Sequence, residues 1–600
     1  MCGIVGVYSF GRESDPVEED VLVRARDSMS SRGPDGFGKW FSKDRRVAFG
    51  HRRLAIIDLS PDGAQPMNLE EDRLWITFNG EIYNYKELQA LVISKGRKLR
   101  SNSDTEVLLH LYALYGESMC ERLRGMFALA IWDENRQGMF LARDQFGIKP
   151  LYIGRRAGQI VFSSQVKSIL AAGILDQSPD SAGHVGFFLW GNLPQNHTLY
   201  RDIQELPAGH TLWIDARGPR EAKQYFDLSE QIRSLEGTCK SRSSLESAES
   251  LRVAVLDTVS HHFVADVPVG VFLSAGKDST TLLATATEVL GSPPNAITLG
   301  FEEFVGTPND EVPLAAQVAH QYGAKHLLMR VVGSDFRQDL GHILRSMDQP
   351  SVDGLNTYYV SKVTNQMGMK VALSGLGGDE IFGGYPSFDQ IPKLVRGVRF
   401  AKNLPWLGKG FRIVTARVME SMTSPKYAGL LEYGGTYGGA YMLRYGLFCP
   451  WELPSVLDPD MVREGWNVLS PLMRLEKMSE NMKCDRSRIC ALEMQMFMRN
   501  RLLRDSDWAS MAHSVEIRVP FVDREFLSAV APLFGTAFEP TKTDLARVPL
   551  LPLPEEVINR PKTGFSVPVR EWILGEMNEC GGERSLRGWA RMVYKDLAGS

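Results

Sequence analysis

The sequence predicts two joined folding units: a layered α+β unit over residues 1–227, and an α/β unit with a parallel sheet over 249–600 whose C-terminal part is mainly helical. Three observations carry that prediction. At 600 residues the chain exceeds what one core organises, since domains run to roughly 100–200 residues. Residues 1–227 hold β-branched and aromatic runs bounded by turn residues. From 249 onward strand and helix patterns alternate, as they do when helices cover both faces of a parallel sheet.

Taken in order, "IVGVY", "RLWITFNG", "MFALAIW" and "QIVFSS" read as strands of the first unit. "DTEVLLHLYALYG" reads as a helix, with an Asp start and a Gly stop. Around 228–248 the polar, Ser-rich "SEQIRSLEGTCKSRSSLESAES" reads as a connecting segment, helical in part. The alternating set then runs through "SLRVAVLDTVSHHF", "VPVGVFLS", "TTLLATATEVL", "AITLGF", "PLAAQVAHQYG" and "KHLLMRV". From about 386 the pattern is mainly helical, and "EYGGTYGGAY" reads as a loop or helix connection.

Apolar residues are 44% and charged residues 23%, ordinary for a soluble globular chain. The 68 basic and 72 acidic side chains nearly balance, at a formal −4, so nucleic acid and anionic membrane are not expected as partners. No apolar run reaches the roughly 18–20 residues that cross a bilayer. "MCGIVGVYSFGRESD" lacks a basic leader region, so burial as a first strand is expected rather than secretion. Seven cysteines at irregular spacing, with no CxxC pair, favour a reducing cytoplasm over a disulfide framework or metal cluster.

Cys2 stands one residue from the start. With Met1 removed, its thiol and α-amine share one residue. A free thiol has a pKa of about 8.5 and an N-terminal amine about 7.7–8.0, so the amine can take the thiol proton. That is the logic by which an N-terminal amine activates threonine. The bland alternative is a cysteine buried in a first strand. The surroundings favour chemistry. Acyl transfer from glutamine needs oxyanion donors, a cation for the α-carboxylate and anions for the α-ammonium. Asn79 and Gly80 in "FNGEIYN" suit the first need, Arg53 in "GHRRL" the second, and Glu81 and Asp104 the third.

The Cys-Gly-Ile start, "RGPDG", "HRRL", "GAQP", "NGEIYN", "SDTEV", "LRGMFALAIWD" and "RDQFGIKPLY" occur in an order that resembles the class II glutamine amidotransferase domain. The resemblance covers about 220 residues. It implies an N-terminal nucleophile hydrolase fold of layered αββα form. It also implies Cys2 as nucleophile, Asn79 and Gly80 as oxyanion hole, and Arg53, Glu81 and Asp104 as glutamine holders. One departure is Gln165 in "SSQVK", where that family usually has Glu.

"VPVGVFLSAGKDSTTLLATA" reads as strand, loop and helix. Backbone N–H groups and the helix start would face an anion, with the Ser274 and Ser279 hydroxyls adding donors. Asp278 beside a phosphate makes sense with Mg²⁺ between them. The Walker consensus is absent, and a generic strand-to-helix turn remains open. A second strand ends in "SGLGGDE", with Asp379 and Glu380; two such loops at the carboxyl ends of parallel strands fit a nucleotide site. Lys562, in the turn "RPKTGFS", has as its alternatives a solvated lysine and a cation over developing charge.

The loop resembles the PP-loop of ATP pyrophosphatases, with Ala275 in place of its second Gly and Lys277 in place of an apolar residue. With "SGLGGDE", "DWASMAHSVEIRVPFVD" and "RPKTGFS" it resembles the synthetase domain of glutamine-hydrolysing asparagine synthetases over residues 249–575. That resemblance implies ATP, Ser274, Gly276, Ser279, Ser374 and Gly375 around the nucleotide, Asp278 and Asp379 as Mg²⁺–pyrophosphate ligands, and Lys562 as catalytic cation. The implied partners are L-glutamine, ATP and a carboxylic acid acceptor, aspartate first; a homodimer fits without being required. The expected reaction turns glutamine, acceptor carboxylate, ATP and water into glutamate, amide, AMP and pyrophosphate. Asparagine synthetases often carry an acid where this chain has Leu376, which leaves open another carboxylic acid, such as a secondary metabolite or sugar acid. A non-catalytic interaction module is the remaining alternative.

Overall fold

The computed structural model describes residues 2–11, 14–239, 243–403, 405–422, 424–561, 567–568, 572 and 585–598. In the N-terminal half two antiparallel sheets, of six and seven strands, lie face to face. Gly3–Ser9 is an inner strand of the first, paired with Val47–Arg53 and Gln159–Ser163. Leu74–Ile82 and Gly125–Asp133 pair inside the second. Strand alternation builds the layers. Ile4 and Tyr8 point into the core between the sheets, with Phe49, Trp132, Leu141 and Phe162. Val5 and Val7 point outward, onto Leu22, Ala25 and Ile169 of helices Glu19–Asp27 and Val166–Ala172. Helices Tyr85–Ser94 and Asp104–Tyr115 cover the other outer face through Leu88, Val92 and Leu108. The order helix, sheet, sheet, helix is the αββα arrangement. Phe49, Phe127, Phe140 and Phe162 are fully buried, each worth about 1.5–3 kcal/mol over exposure.

The segment after residue 227 forms two helices, Leu228–Leu235 and Ser244–His262. The second starts in a capping box of Ser243 and Glu246. Leu228 and Ile232 are buried in the core of the C-terminal half, so this stretch docks there.

The C-terminal half holds a five-stranded parallel sheet in the order His326–Val331, Ala296–Phe301, Val269–Phe272, Val371–Leu373, Glu516–Arg518. Val269–Phe272 comes first in sequence and lies in the middle. The chain turns one way to build strands on its first side and the other way to build Val371–Leu373. At such a reversal two loops leave in opposite directions and open a crevice at the strands' carboxyl ends. Helices dominate after Ser387, as the periodicity expects, but Glu516–Arg518 returns to the sheet. Within "EYGGTYGGAY" the second Tyr starts helix Tyr437–Tyr445, capped by Thr436, whose hydroxyl accepts from the Gly439 N–H.

Candidate active sites

The first site forms where the two sheets of the N-terminal half meet. Cys2 is buried just ahead of strand Gly3–Ser9, and its backbone N–H donates to Asn79 Oδ1 at 2.9 Å. Asn79 is fully buried on a strand of the opposite sheet, and its Nδ2 lies 3.5 Å from Ser164 Oγ. Gly80 follows, where an added Cβ would come within 2.1 Å of the Met126 carbonyl oxygen of the paired strand, so no side chain fits. Arg53 is held by the backbone: it donates to the Ser60 carbonyl at 3.0 Å and to the Asp58 carbonyl. Burial pushes the Cys2 thiol pKa up; Glu81 adds to that, and Arg53 pulls the other way.

Glu81 and Asp104 are both buried. Asp104 accepts from the Ile82 N–H at 3.2 Å, and burial lifts its pKa to about 6. Burial, with Glu516 nearby, holds the Glu81 carboxyl well above the usual range. Its cationic neighbour is Arg518, 3.4 Å away across the boundary between the halves; Arg518 also pairs with Glu516 at 2.7 Å. A second bridge starts at Arg32, whose Nε donates to the Cys2 carbonyl at 3.1 Å while its other nitrogens clamp Asp507 at 2.6 and 3.0 Å. All six sequence-derived residues of this site thus come together, and the C-terminal half adds Asp507, Glu516 and Arg518. "RGPDG" and "VEIRVP" contain three of these partners, but nothing in either string says that they meet.

The second site is a cavity of about 680 Å³ in the crevice of the parallel sheet. Its wall includes every residue from Ser274 to Ser279, with Ser374, Gly375, Leu376, Asp379 and Glu380 opposite. The first loop is braced internally: the Ser274 and Ser279 hydroxyls lie 2.9 Å apart, and the Gly276 N–H donates to Ser274 Oγ at 3.1 Å. Ala275 keeps a negative φ, so the missing glycine costs nothing there. Gly377 sits at φ +92°, and an added Cβ would lie 2.7 Å from Val522. A Cβ on Gly375 would lie 2.9 Å from that of Asp278, so this glycine lets the loops close on each other.

Asp278 and Asp379 converge on one cation, Lys542: its ammonium bonds Asp278 and lies 3.0 Å from Asp379 Oδ1. Sequence reasoning passed over Lys542, which lies in "PTKTDLA" with no motif to mark it. Lys562 lies outside the described residues; Pro561, just before it, lines the cavity. Leu376 supplies an apolar patch of wall. Glu380 is buried, accepts from the Tyr385 hydroxyl at 2.8 Å, and is pushed up to about 7 by burial and by Asp379. Asp505, on the wall with Asp353, is likewise raised to about 7 by burial.

Residues 1–226 match the glutamine amidotransferase domain family, and residues 250–585 match the asparagine synthase family. A glutamine-hydrolysing asparagine synthetase 1 of Bacillus subtilis (strain 168) is 32% identical, over 99% of this chain and 90% of its own length. A putative asparagine synthetase of the same type from Mycobacterium bovis is 31% identical, over 96% of this chain and 89% of its own. Amidase chry2 of Gibberella zeae is 31% identical over 65% of this chain and 60% of its own length.

Proposed function

Because this chain belongs to the glutamine-hydrolysing asparagine synthetase family, an amidotransferase half joined to an ATP-dependent synthase half, we propose that it amidates aspartate to asparagine through an acyl-adenylate. The observation that supports an ATP site is the convergence of Asp278 and Asp379 on one positive charge at the PP-loop; the adenylate itself rests on the family resemblance.

In the first site, Cys2 with Met1 removed gives its thiol proton to its own amine and attacks the glutamine side-chain amide. Asn79 Nδ2 and the Gly80 N–H receive the oxyanion, where one preorganised donor is worth about 10²–10³ in rate. Arg53 holds the substrate α-carboxylate; Glu81 and Asp104 hold its α-ammonium. Ammonia leaves, and water frees glutamate from the thioester. In the second site the acceptor carboxylate attacks the α-phosphorus of ATP and pyrophosphate departs. Two carboxylates facing one point, with phosphate oxygens to complete the shell, suit Mg²⁺, which would neutralise charge on the leaving pyrophosphate. Loop N–H groups and the start of helix Lys277–Leu290 orient the phosphates. Lys562 is the proposed cation over the reacting centre. Ammonia kept from water stays unprotonated and attacks the acyl-adenylate, releasing AMP.

A second acceptor reading rests on Leu376, where a carboxylate would meet an amine or an incoming ammonia and a leucine does neither. On that reading the acceptor is another carboxylic acid, consistent with the likeness to an amidase-named relative. One experiment addresses both readings: purified protein with glutamine, ATP and a panel of carboxylic acids, scored by pyrophosphate and AMP. Aspartate with the highest kcat/KM, unimproved by Leu376→Glu, supports asparagine synthesis. ADP in place of AMP refutes the adenylate.

A further inference from the structure

Amide synthesis makes no use of a stretch in the helical region. From Gln390 to Met419 the chain has seven Lys and Arg (Lys393, Arg396, Arg399, Lys402, Lys409, Arg412 and Arg417) and no Asp or Glu. The formal −4 of the whole chain conceals this local excess.

Helix Pro405–Met422 fills the second half of the stretch. One side packs down: a Cβ on Gly408 would lie 2.7 Å from Glu432 Cα, and Arg412 pairs with Glu432 while covering the Trp451 ring at 5.0 Å. At 3.6 residues per turn, Trp406, Gly410, Ile413 and Val414 fall on the opposite side. That side faces water, with Trp406 70%, Ile413 64% and Val414 77% exposed. Phe400, in the preceding turn Arg399–Asn403, is 61% exposed. Arg399 and Lys409 are exposed as well. Lys393 and Arg396, also exposed, pair with Asp389 and Asp485, and Asp389 and Glu420 flank the stretch, so the seven basic residues outweigh the acidic ones without being free of them.

Large apolar side chains gathered on one solvent-facing surface mark a contact site. Charge selects the partner. Nucleic acid would satisfy the basic residues and leave Trp406, Ile413, Val414 and Phe400 in water. A second copy in a two-fold dimer would set this positive surface against itself. A bilayer with anionic headgroups satisfies both, taking the apolar side chains at the acyl boundary and the Lys and Arg among the phosphates. None of the described helices is long and apolar enough to cross a membrane, so the contact is peripheral. We propose that helix Pro405–Met422 and the turn before it form a face that docks reversibly on an anionic lipid surface.

The test is flotation of the full-length protein with phosphatidylcholine vesicles, with and without phosphatidylglycerol. The expected result is binding that requires phosphatidylglycerol and weakens as salt screens the charges. The triple variant Trp406→Ser, Ile413→Ser, Val414→Ser should bind at least about tenfold more weakly. Lys409→Gln should cost about fivefold. Circular dichroism and glutamine hydrolysis, both unchanged, show that the variants are folded. Wild-type protein that stays off anionic vesicles overturns the proposal. So does vesicle binding indifferent to the triple variant, which would place the contact elsewhere. A patch-dependent dimer in sedimentation, without vesicle binding, would give the face to a second copy instead.

Discussion

Lys542 offers the sharpest test of the synthase site. Its ammonium, 14% exposed, sits between Asp278 and Asp379, whose side chains are 20% and 24% exposed. Lys542→Met keeps the stem and removes the charge. Deleting one member of a fully buried ion pair costs about 3–5 kcal/mol. Here the carboxylates touch solvent, which screens the loss to about 1–3 kcal/mol. The variant should therefore unfold several degrees earlier in thermal scans of metal-free protein. If the two carboxylates form a cation site, Mg²⁺ should fill the gap left by the ammonium. Added Mg²⁺ should then raise the variant's unfolding temperature more than the wild type's. Amide synthesis should fall by about 10²–10³, since one preorganised electrostatic contact is lost. Glutamine hydrolysis, which depends on the other half, should persist. A variant that melts with the wild type, or a Mg²⁺ effect equal in both, would refute the reasoning.

Three further outcomes follow from the geometry. Cys2→Ala should abolish glutamine-dependent synthesis and leave synthesis from ammonium salts, measured by AMP release; loss of both in folded protein would contradict the division of labour between the halves. Gly377→Ala must adopt φ +92° and press on Val522, which should destabilise the loop by about 1–3 kcal/mol and raise KM for ATP; an unchanged KM would show that the loop does not shape the nucleotide site. Asp104 has a folded pKa of about 6 against about 3.9 unfolded, so the stability it contributes is present below pH 3.9 and lost as pH rises through 6. Asp104→Asn should therefore stabilise the protein more at pH 8 than at pH 5. On the proposed role of Asp104 the ionised form holds the α-ammonium, so KM for glutamine should rise in the wild type below about pH 6 more steeply than in the variant, which retains only the dependence due to Glu81.

The sequence by itself determined the strands and marked the loops proposed to carry chemistry. Local sterics and alternation suffice to make "IVGVY" or "VPVGVFLS" a strand, and a loop leaving the end of a strand has one short path. Cys2, Asn79, Gly80, Ser274, Asp278 and Asp379 could be proposed from the chain because each sits in a string that resembles a motif of a known family. Tertiary structure alone decided what faces these residues. Arg518 meets Glu81, Arg32 meets Asp507, and Lys542 meets Asp278 and Asp379 across hundreds of residues, in strings with no periodicity to announce them. Helix Pro405–Met422 makes the same point on the surface. Its helical character is readable from the chain, but whether Trp406, Ile413 and Val414 are core or contact depends on which side Glu432 covers. Propensity acts between neighbours in sequence, whereas burial and charge pairing act between neighbours in space, and only the folded chain brings the second kind together.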